Sequence, residues 1–287
     1  MQLAFASSAF RRFSLYDALQ HIRTAGYPAV EIMCDAPHAY PEQLSARDRQ
    51  GIRDNLKHFG LAVSNLNAFM MTAVHGPRPD GDLPRQARDF WYPSYIDPDE
   101  RERRKRIEHS KACIQLAHEL ESPTISIEPG GPLDGRDEEE GLRLFEEALD
   151  ELAPIAEALG ILVCIEPEPG LVIERSAQYL RFMERIDSPA VAMNFDVGHL
   201  YCVGEDPAEA ARKLGRQIRH IQIEDIAPSR EHRHLTPGEG AIDFAALRQA
   251  LAHVNYDGYV TVELYPYLED PSGAATTSLQ RLRALGY

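Results

Sequence analysis

The chain has 287 residues, of which 44% are hydrophobic and 26% are charged, and this composition is ordinary for a globular protein with a large core. It carries 45 Asp plus Glu against 30 Lys plus Arg, which gives a formal net charge of -15 at pH 7. An acidic chain repels phosphate backbones, so we expect no nucleic-acid partner. The one dense basic run, Arg101 to Arg106, is interrupted by Glu and is expected to be the solvated face of a helix.

The spacing of the cysteines and the length of the apolar segments indicate the cellular compartment of the protein. Cys34, Cys113, Cys164 and Cys202 are far apart, without the spacing of a metal knuckle, so free thiols in a reduced compartment are expected. The N-terminus is too short and too soon polar for a signal peptide, and no run of about 18 apolar residues exists. The sequence therefore predicts a cytoplasmic protein without membrane contact.

Short apolar strands alternate with amphipathic helices along the chain. Ser14 is typical of a helix start, and Gly26, Gly60 and Gly160 are typical of helix ends. The predicted strands are 2–6, 29–33, 61–67, 124–128, 161–166, 190–196, 218–225 and 259–264. The predicted helices are 15–25, 41–59, 97 or 99 to 120, 138–159, 176–186, 207–214, 243–254 and 272–285.

A long irregular stretch separates the third strand from its helix, at about residues 71–98. It is rich in Pro, Gly and aromatic residues, including Trp91, Tyr92 and Tyr95. Loops of this length inside a domain are usually functional or disordered, and the aromatic residues favour an ordered lid or a contact within a homo-oligomer.

Eight strands that alternate with eight helices predict an α/β fold, a single (β/α)8 TIM barrel that spans residues 1–287 as one domain. The strands are nearly continuous runs of Val, Ile, Leu and Ala, as expected of parallel strands covered on both faces. A doubly wound open sheet is the alternative, but no Gly-rich fingerprint follows the first strand.

Acidic residues end six of the eight predicted strands. In a TIM barrel the reactive groups lie at the carboxyl ends of the strands. These ends carry Glu31, Glu128, Glu166, Asp196, Glu224 with Asp225, and Glu263. Glu31 and Glu128 can equally be the first residues of loops, whereas Glu166, Asp196 and Glu263 each follow an apolar run that would bury them. Buried carboxylates repel one another unless a cation lies among them, so a divalent metal is expected.

The stretch Asn194 to His199 places a carboxylate and an imidazole three residues apart. We expect Gly198 to free the backbone to turn, so that Asp196 and His199 project from one strand end. The alternative is a strand-ending Asp that caps the next segment, followed by a surface histidine.

Five short motifs in this order resemble the xylose isomerase-like barrel superfamily, which includes ketose 3-epimerases, hydroxypyruvate isomerase, inosose-processing enzymes and endonuclease IV. The motifs lie at the ends of strands five to eight, and the resemblance covers nearly the whole chain. They are Ile165-Glu166-Pro167, Asp196-Val197-Gly198-His199, His220 to Asp225, Pro237-Gly238-Glu239-Gly240 and Tyr256 to Glu263.

The resemblance implies that Glu166, Asp196 and Glu263 ligate one divalent ion and that His199 contacts the substrate or a nearby metal. The epimerase-like members usually carry His-x-His on strand seven, where this chain has His220 and Gln222. Gln222 thus occupies the position of the fourth ligand, and its amide oxygen favours Mn²⁺ or Mg²⁺ over Zn²⁺. His220 faces the same side of the strand and either supports the site one layer deeper or is a hydrogen-bonded core histidine.

Two further segments depart from the epimerase pattern. Glu168 lies two residues after Glu166, on the same side of an extended segment, and has either a polar role in the site or a place in a rigid turn. His232 and His234 lie where endonuclease IV has an Asp-x-His pair on an additional zinc. The neighbouring arginines, Arg233 among them, favour substrate binding over a second metal, with a solvated loop as the remaining alternative.

The site predicts an isomerase or epimerase of a small polyhydroxy carbonyl compound, such as a sugar, a sugar phosphate, an inosose or hydroxypyruvate. One of Glu166 and Glu263 would remove the proton α to the carbonyl, and the other would return it through an enediolate. Dehydration of a cyclic polyol ketone is the nearest alternative. An endonuclease IV-like repair enzyme should present a basic face, which the charge disfavours. A binding module without catalysis would need only polar strand ends.

Overall fold

Eight parallel strands close into a barrel in chain order, β1 next to β2 and onward to β8, which pairs with β1. The computed structural model describes residues 1–76 and 90–287. The prediction of a (β/α)8 barrel is therefore confirmed. The strands are β1 Gln2–Ala6, β2 Ala29–Met33, β3 Ala62–Asn67, β4 Thr124–Ile127, β5 Leu162–Ile165, β6 Val191–Asp196, β7 Ile218–Ile223 and β8 Tyr259–Val262.

Helices surround the barrel, and most begin and end within two residues of the predicted bounds. In the described part of the chain they are α1 Leu15–Ala25, α2 Ala46–Phe59, α3 Thr72–His75, α4 Glu100–Glu119, α5 Glu138–Leu159, α6 Ser176–Met183, α7 Val197–Cys202, α8 Pro207–Leu214, α9 Phe244–His253 and α10 Pro271–Ala284. The short helices α3 and α7 were not expected from the sequence, because neither is long enough to show a helical period.

Capping residues explain the helix bounds. Ser14 accepts a hydrogen bond from Asp17 N, and Gly26 ends α1 with a left-handed φ of 102°. The predicted start of α2 at Pro41 is wrong, because Pro41–Gln43 forms a separate 3₁₀ turn. Ser45 and Asp48 then form a capping box, which sets the start of α2 at Ala46.

The predicted long loop is only partly visible, because residues 77–89 lie outside the described part of the chain. Before that gap the stretch contains α3, and after it Tyr95 is buried against Phe145 in the hydrophobic core. Trp91 and Phe90 pack edge to face, with ring centroids 4.5 Å apart. Phe69, which precedes the gap, contacts both rings, with centroid distances of 5.1 Å to Phe90 and 6.2 Å to Trp91.

Arg106 corrects the expectation of a wholly solvated basic run. Its side chain is only 4% exposed, forms an ion pair with Glu128 at the end of β4, and lies over the Tyr95 ring at 5.1 Å. The rest of the run is exposed or half-buried on α4, as predicted. One arginine therefore turns inward, because a carboxylate at a strand end requires a charged partner when it is mostly removed from water.

The cysteines are free thiols, as expected: Cys34, Cys113 and Cys164 are buried, and Cys202 is half-buried. Within residues 1–76 and 90–287, none of the helices is both long and apolar enough to cross a membrane.

Candidate active site

A cavity opens at the carboxyl ends of the strands, where the active sites of this fold lie. One wall is apolar and aromatic, with Phe69, Phe90 and Trp91, and the floor is acidic. The polar lining residues include Arg11, Asp35, Glu128, Glu166, Glu168, His199, His232, His234 and Glu263. Sequence reasoning therefore named much of the acidic and imidazole lining, but it missed Arg11, Asp35, Phe69 and Phe90. Trp91 lies in the aromatic-rich stretch after β3 for which an ordered lid or an oligomer contact was expected.

Asp196 caps the helix that follows it, which is one of the two alternatives that the sequence left open. Its Oδ1 accepts a hydrogen bond from His199 N at 2.7 Å, so it caps α7. Its Oδ2 is buried and has no hydrogen-bond partner among the described residues. A buried carboxylate oxygen without a partner is costly, so one oxygen of Asp196 serves the fold and the other remains free for a ligand.

The structure gives a different reason for glycine at position 198 from the one predicted. It lies within helix α7 and lacks a left-handed φ, so the expectation that it frees the backbone to turn is wrong. Its N–H donates to Glu224 Oε1 at 2.5 Å, and a Cβ added at this position would lie 2.1 Å from that oxygen. Glycine is required here because a buried carboxylate approaches the backbone.

Burial and mutual repulsion raise the pKa of the carboxyl groups in the cavity floor. The pKa of Glu166 is well above its usual range because of burial and then the charges of Asp196 and Glu263. The same holds for Glu168, through burial and Glu166, and for Glu263, through burial and Glu31. Burial and the charge of the neighbouring Glu224 raise the pKa of Asp196 well above its usual range.

Three imidazoles face these carboxyl groups. His232 Nε2 and His234 Nε2 are 3.3 Å apart, and the His199 and His232 rings meet edge to face at 4.6 Å. His199 Nδ1 lies 3.2 Å from Glu168 Oε2 and 3.5 Å from Glu166 Oε1. Burial lowers the pKa of His232 to about 4 and holds the pKa of His199 and His234 well below the usual range. These rings are neutral at pH 7 and offer nitrogen lone pairs.

Gln222 lies opposite Asp196 in the pairing of β6 with β7, and it is fully buried. Its Oε1 accepts from Asn194 Nδ2 at 2.5 Å, and its Nε2 donates to Glu31 Oε1 at 3.0 Å. Asn194 Nδ2 also donates to Glu166 Oε2 at 2.6 Å. Both ends of the Gln222 amide are therefore engaged within the barrel, below the cavity.

His220 and Arg233 do not line the cavity. His220 lies in the same interior layer as Gln222, where it contacts Asn194 Oδ1 at 2.8 Å and Thr261 Oγ1 at 2.9 Å. Burial lowers the pKa of His220 to about 3, which keeps the ring neutral. Arg233 is exposed on the segment after β7. The site roles predicted for these two residues, like those of the other site residues, remain predictions.

Three groups of side chains place potential ligand atoms within 4.8 Å of one another in the described part of the chain. Since the Asp196 oxygen is buried without a partner and the imidazoles are neutral, these residues fit a divalent cation. The groups are His199 with His232 and His234, Glu166 with Glu168 and His199, and Asp196 with His234 and Glu263.

A model of the xylose isomerase-like TIM barrel family matches residues 19–285, nearly the whole chain. The chain belongs to this family. This confirms the resemblance drawn from the strand-end motifs. The xylose isomerase-like fold also recurs in a solved D-tagatose 3-epimerase-like protein, with a TM-score of 0.81, 24% identity and coverage of 99% of this chain and 97% of that one.

Two relatives of this chain carry named activities. Fructoselysine 3-epimerase of Shigella flexneri is 26% identical, over 99% of this chain and 98% of the relative. Inosose dehydratase of Clostridium beijerinckii is 26% identical, over 71% of this chain and 81% of the relative. These relatives therefore include both an epimerase and a dehydratase.

Proposed function

We propose that this protein is a divalent-metal-dependent epimerase or isomerase of a small polyhydroxy carbonyl compound, a sugar or a closely related polyol ketone. The similarity to fructoselysine 3-epimerase along the whole chain supports this reaction class. The observation that carries the proposal is the cluster of Glu166, Glu168 and Glu263, which lines one cavity together with three neutral imidazoles.

Glu166, Asp196 and Glu263 would hold the metal, with one further ligand. When bound, a divalent cation stabilises the negative charge that develops on the substrate oxygen as a neighbouring C–H bond breaks. Mn²⁺ and Mg²⁺ suit the carboxylate oxygens, and Zn²⁺ becomes suitable when imidazole joins the set.

Glu166 and Glu263 are the proton-transferring residues in this proposal. One carboxylate removes the proton α to the carbonyl, and the electron pair of that C–H bond forms the enediolate. The other carboxyl group returns a proton to the opposite face of the same carbon, which gives the epimer, or to the adjacent carbon, which gives the isomer. Burial and neighbouring charges raise the pKa of both groups well above the usual range, which makes each carboxylate a stronger base for this proton transfer.

Glu168 and His199 would assist from the side of the cavity. The His199 ring donates through Nδ1 toward Pro167 O at 3.3 Å and lies against Glu168. This arrangement directs its Nε2 away from these acceptors, where it can accept a hydrogen bond from a substrate hydroxyl. His232 and Glu168 are adjacent at 3.4 Å, and they would bind a second hydroxyl.

Dehydration of a cyclic polyol ketone is the second candidate, favoured by the similarity to inosose dehydratase. It shares the first step, removal of the α proton, and differs in the fate of the enediolate, which expels a β-hydroxyl as water. The two reactions are distinguished by their products. Loss of water gives an unsaturated ketone, whereas epimerisation preserves the mass of the substrate.

The test is exchange of substrate α protons with D₂O across a panel of ketoses, inososes and hydroxypyruvate in the presence of Mn²⁺, followed by NMR. We expect one substrate to exchange and to yield an epimer or isomer. Glu263→Gln should reduce kcat by about 100-fold or more with a much smaller change in ligand affinity. No exchange with any compound would contradict the proposed chemistry, and equal losses of kcat and affinity would contradict the acid–base role of Glu263.

A further inference from the structure

We propose that His234, on the segment after β7, is the nitrogen ligand of the metal site, and that Gln222 on β7 instead belongs to the interior hydrogen-bond layer. This inference rests on the proposed function only in assuming that a divalent ion binds in the cavity. It assigns the remaining ligand to a residue that comes from a different element of the chain.

Gln222 is poorly placed to give its oxygen to a cation. Its Oε1 already accepts from Asn194 Nδ2 at 2.5 Å, and its Nε2 donates to Glu31 at 3.0 Å. Reversing the amide would place two N–H groups against each other at Asn194 and two oxygens against each other at Glu31. A completed pair of buried hydrogen bonds of this kind is costly to break.

His234 has the arrangement that metal-ligating histidines show in proteins. Its Nδ1 lies 3.0 Å from the carbonyl oxygen of Glu263, so this nitrogen carries the proton and donates it. In this tautomer the other nitrogen, Nε2, has the lone pair that a cation would need. A donor bond from one ring nitrogen to a backbone carbonyl orients the other nitrogen toward a metal.

The backbone around His234 is held rigidly. Asp225 and Leu235 exchange two backbone hydrogen bonds of 2.7 Å, which form an antiparallel bridge directly after His234. The Asp225 carboxylate then accepts from Gly238 N at 2.9 Å and Gly240 N at 2.8 Å. The segment after β7 therefore positions His234 from an anchored loop, as a ligand site requires.

The partners of His234 are the two carboxylates expected to ligate the metal. Ligand atoms of His234, Asp196 and Glu263 lie within 4.8 Å of one another, and each residue is at least nine-tenths buried. Asp196 belongs to this group, and its Oδ2 has no hydrogen-bond partner among the described residues. A cation coordinated by these three residues would satisfy that oxygen, and it would replace the contact of His234 Nε2 with His232 Nε2.

His232 is the competing imidazole, because its Nε2 is 3.3 Å from His234 Nε2. Its side chain is 28% exposed, and its Nδ1 faces Glu168 Oε1 at 3.4 Å. In the described part of the chain, His232 joins a potential ligand group only with the two other histidines, whereas His234 also joins Asp196 and Glu263. The geometry therefore favours His234 as the ligand and leaves His232 for contact with the substrate.

The test measures Mn²⁺ binding to the chelator-treated, full-length protein without substrate, by the EPR signal of free Mn²⁺. His234→Ala is expected to raise the Kd by more than about 100-fold, beyond the range typical of residues that only support a ligand. Gln222→Leu, His232→Ala and the surface control His253→Ala are expected to change the Kd by less than about tenfold. Thermal melts of each metal-free variant establish that it is folded.

Electron spin-echo spectroscopy of the Mn²⁺-loaded protein gives a second readout that does not depend on affinity. Wild type should show modulation from one imidazole nitrogen. His234→Asn, which retains a donor for Glu263 O, should lose that modulation, and His232→Ala should retain it. This variant also keeps the test valid if His234→Ala does not fold.

The outcomes separate this inference from the proposed function. Loss of Mn²⁺ in Gln222→Leu but not in the His234 variants would overturn the assignment and leave a metal-dependent epimerase possible. Equal losses in the His232 and His234 variants would also overturn it, since the ligand would then not be His234 alone. Binding that depends on His234, in a protein that exchanges no α proton, would support the assignment and contradict the proposed function.

Discussion

Asn194 donates to Glu166 Oε2 at 2.6 Å and to Gln222 Oε1 at 2.5 Å, so one buried amide orients side chains from two neighbouring strands. The Asn194 oxygen in turn accepts from His220 Nδ1 at 2.8 Å. The opposite ring nitrogen of His220 is then an acceptor for the Thr261 hydroxyl at 2.9 Å. Each hydrogen bond in this series has a defined donor and acceptor. The series therefore orients the Glu166 carboxylate from the barrel interior.

Asn194→Asp should therefore impair the site while leaving its volume nearly unchanged. It replaces a donor to Glu166 with a second carboxyl group and brings two acceptors together at Gln222. We expect kcat to fall by about tenfold or more, and the acid limb of the kcat/KM profile to move to higher pH, because like charge raises the pKa of Glu166 further. Steady-state kinetics across pH with the substrate identified by the exchange panel measure both effects.

Asn65→Asp is the matched control, because Asn65 Nδ2 donates to Glu31 Oε2 at 3.0 Å and to Ser126 Oγ at 2.8 Å, without contact to Glu166. Both variants place a new carboxyl group in the barrel interior and should lower the melting temperature. Only the Asn194 variant should shift the pH profile. An equal shift in the control would show that Asn194 acts through general stability and not by positioning Glu166.

Arg106→Met should destabilise the protein by about 3–5 kcal/mol, because it leaves Glu128 without its partner in a largely buried position. Arg104→Met is the exposed comparison, since the Arg104 side chain is 49% exposed and pairs with Glu151 at 2.6 Å. That substitution should cost about 1 kcal/mol or less. Denaturant unfolding of both variants measures the difference, and losses of equal size would contradict the buried ion pair.

Adding Glu128→Gln to Arg106→Met checks the cause. Removal of the unpaired charge should recover part of the lost stability. If the double variant is no more stable than Arg106→Met, the loss comes from the packing of Arg106 over Tyr95 and not from the stranded carboxylate.

Strand order and strand ends were predictable from the sequence because buried parallel strands are continuous apolar runs and their last residues are polar. Glu166, Asp196 and Glu263 follow such runs directly, and the structure places Glu166 and Glu263 in one cavity. The inward turn of Arg106 and the close approach of Glu224 to Gly198 were not predictable, because each depends on contacts between elements far apart in the chain. The motif after β7 identified His232 and His234 as candidates. Only the structure, in which Asp225 anchors this segment, shows which of the two faces Asp196 and Glu263.

Metal binding should strengthen over the pH interval from about 6.5, the ordinary imidazole pKa, to mildly alkaline values. Burial and mutual repulsion raise the pKa of Glu166, Asp196 and Glu263 in the folded metal-free protein, so these groups hold protons that a cation must displace. A carboxyl group whose pKa is raised by folding stabilises the folded protein at any pH below its pKa in the unfolded chain. This contribution is lost as the pH rises through its pKa in the folded protein. The metal-free protein should therefore become less stable over this interval, and the metal should offset the loss.

The histidines do not contribute to this loss of stability at higher pH. Their pKa values are lowered by burial, so their contribution is complete above the ordinary imidazole value of 6.5 and is lost only as the pH falls. The measurement is the rise in Tm caused by Mn²⁺ at the two ends of the interval. A rise that is equal or smaller at the higher pH would contradict the protonated state of the carboxyl cluster.

Gly198→Ala tests the close approach of Glu224 to helix α7. The added Cβ would meet Glu224 Oε1 at 2.1 Å and Ile226 Cγ1 at 3.0 Å, and both neighbours are fully buried. We expect a loss of about 1–3 kcal/mol in the free energy of unfolding, as for other overpacked interiors. The displaced Glu224 should also weaken Mn²⁺ binding, since it lies against Asp196.

Gly51→Ala is the matched control, because Gly51 lies inside α2 and a Cβ there meets nothing within 4 Å. Alanine has the higher helix propensity, so this variant should be more stable by about 0.5–1 kcal/mol, with unchanged Mn²⁺ affinity. Denaturant unfolding should therefore show a loss of stability in Gly198→Ala and a gain in Gly51→Ala. Mn²⁺ titration should show weaker binding in Gly198→Ala alone. If Gly198→Ala matched Gly51→Ala in both measurements, the Glu224 carboxylate would not be held against the backbone of α7, and Asp196 would lack the neighbour that raises its pKa.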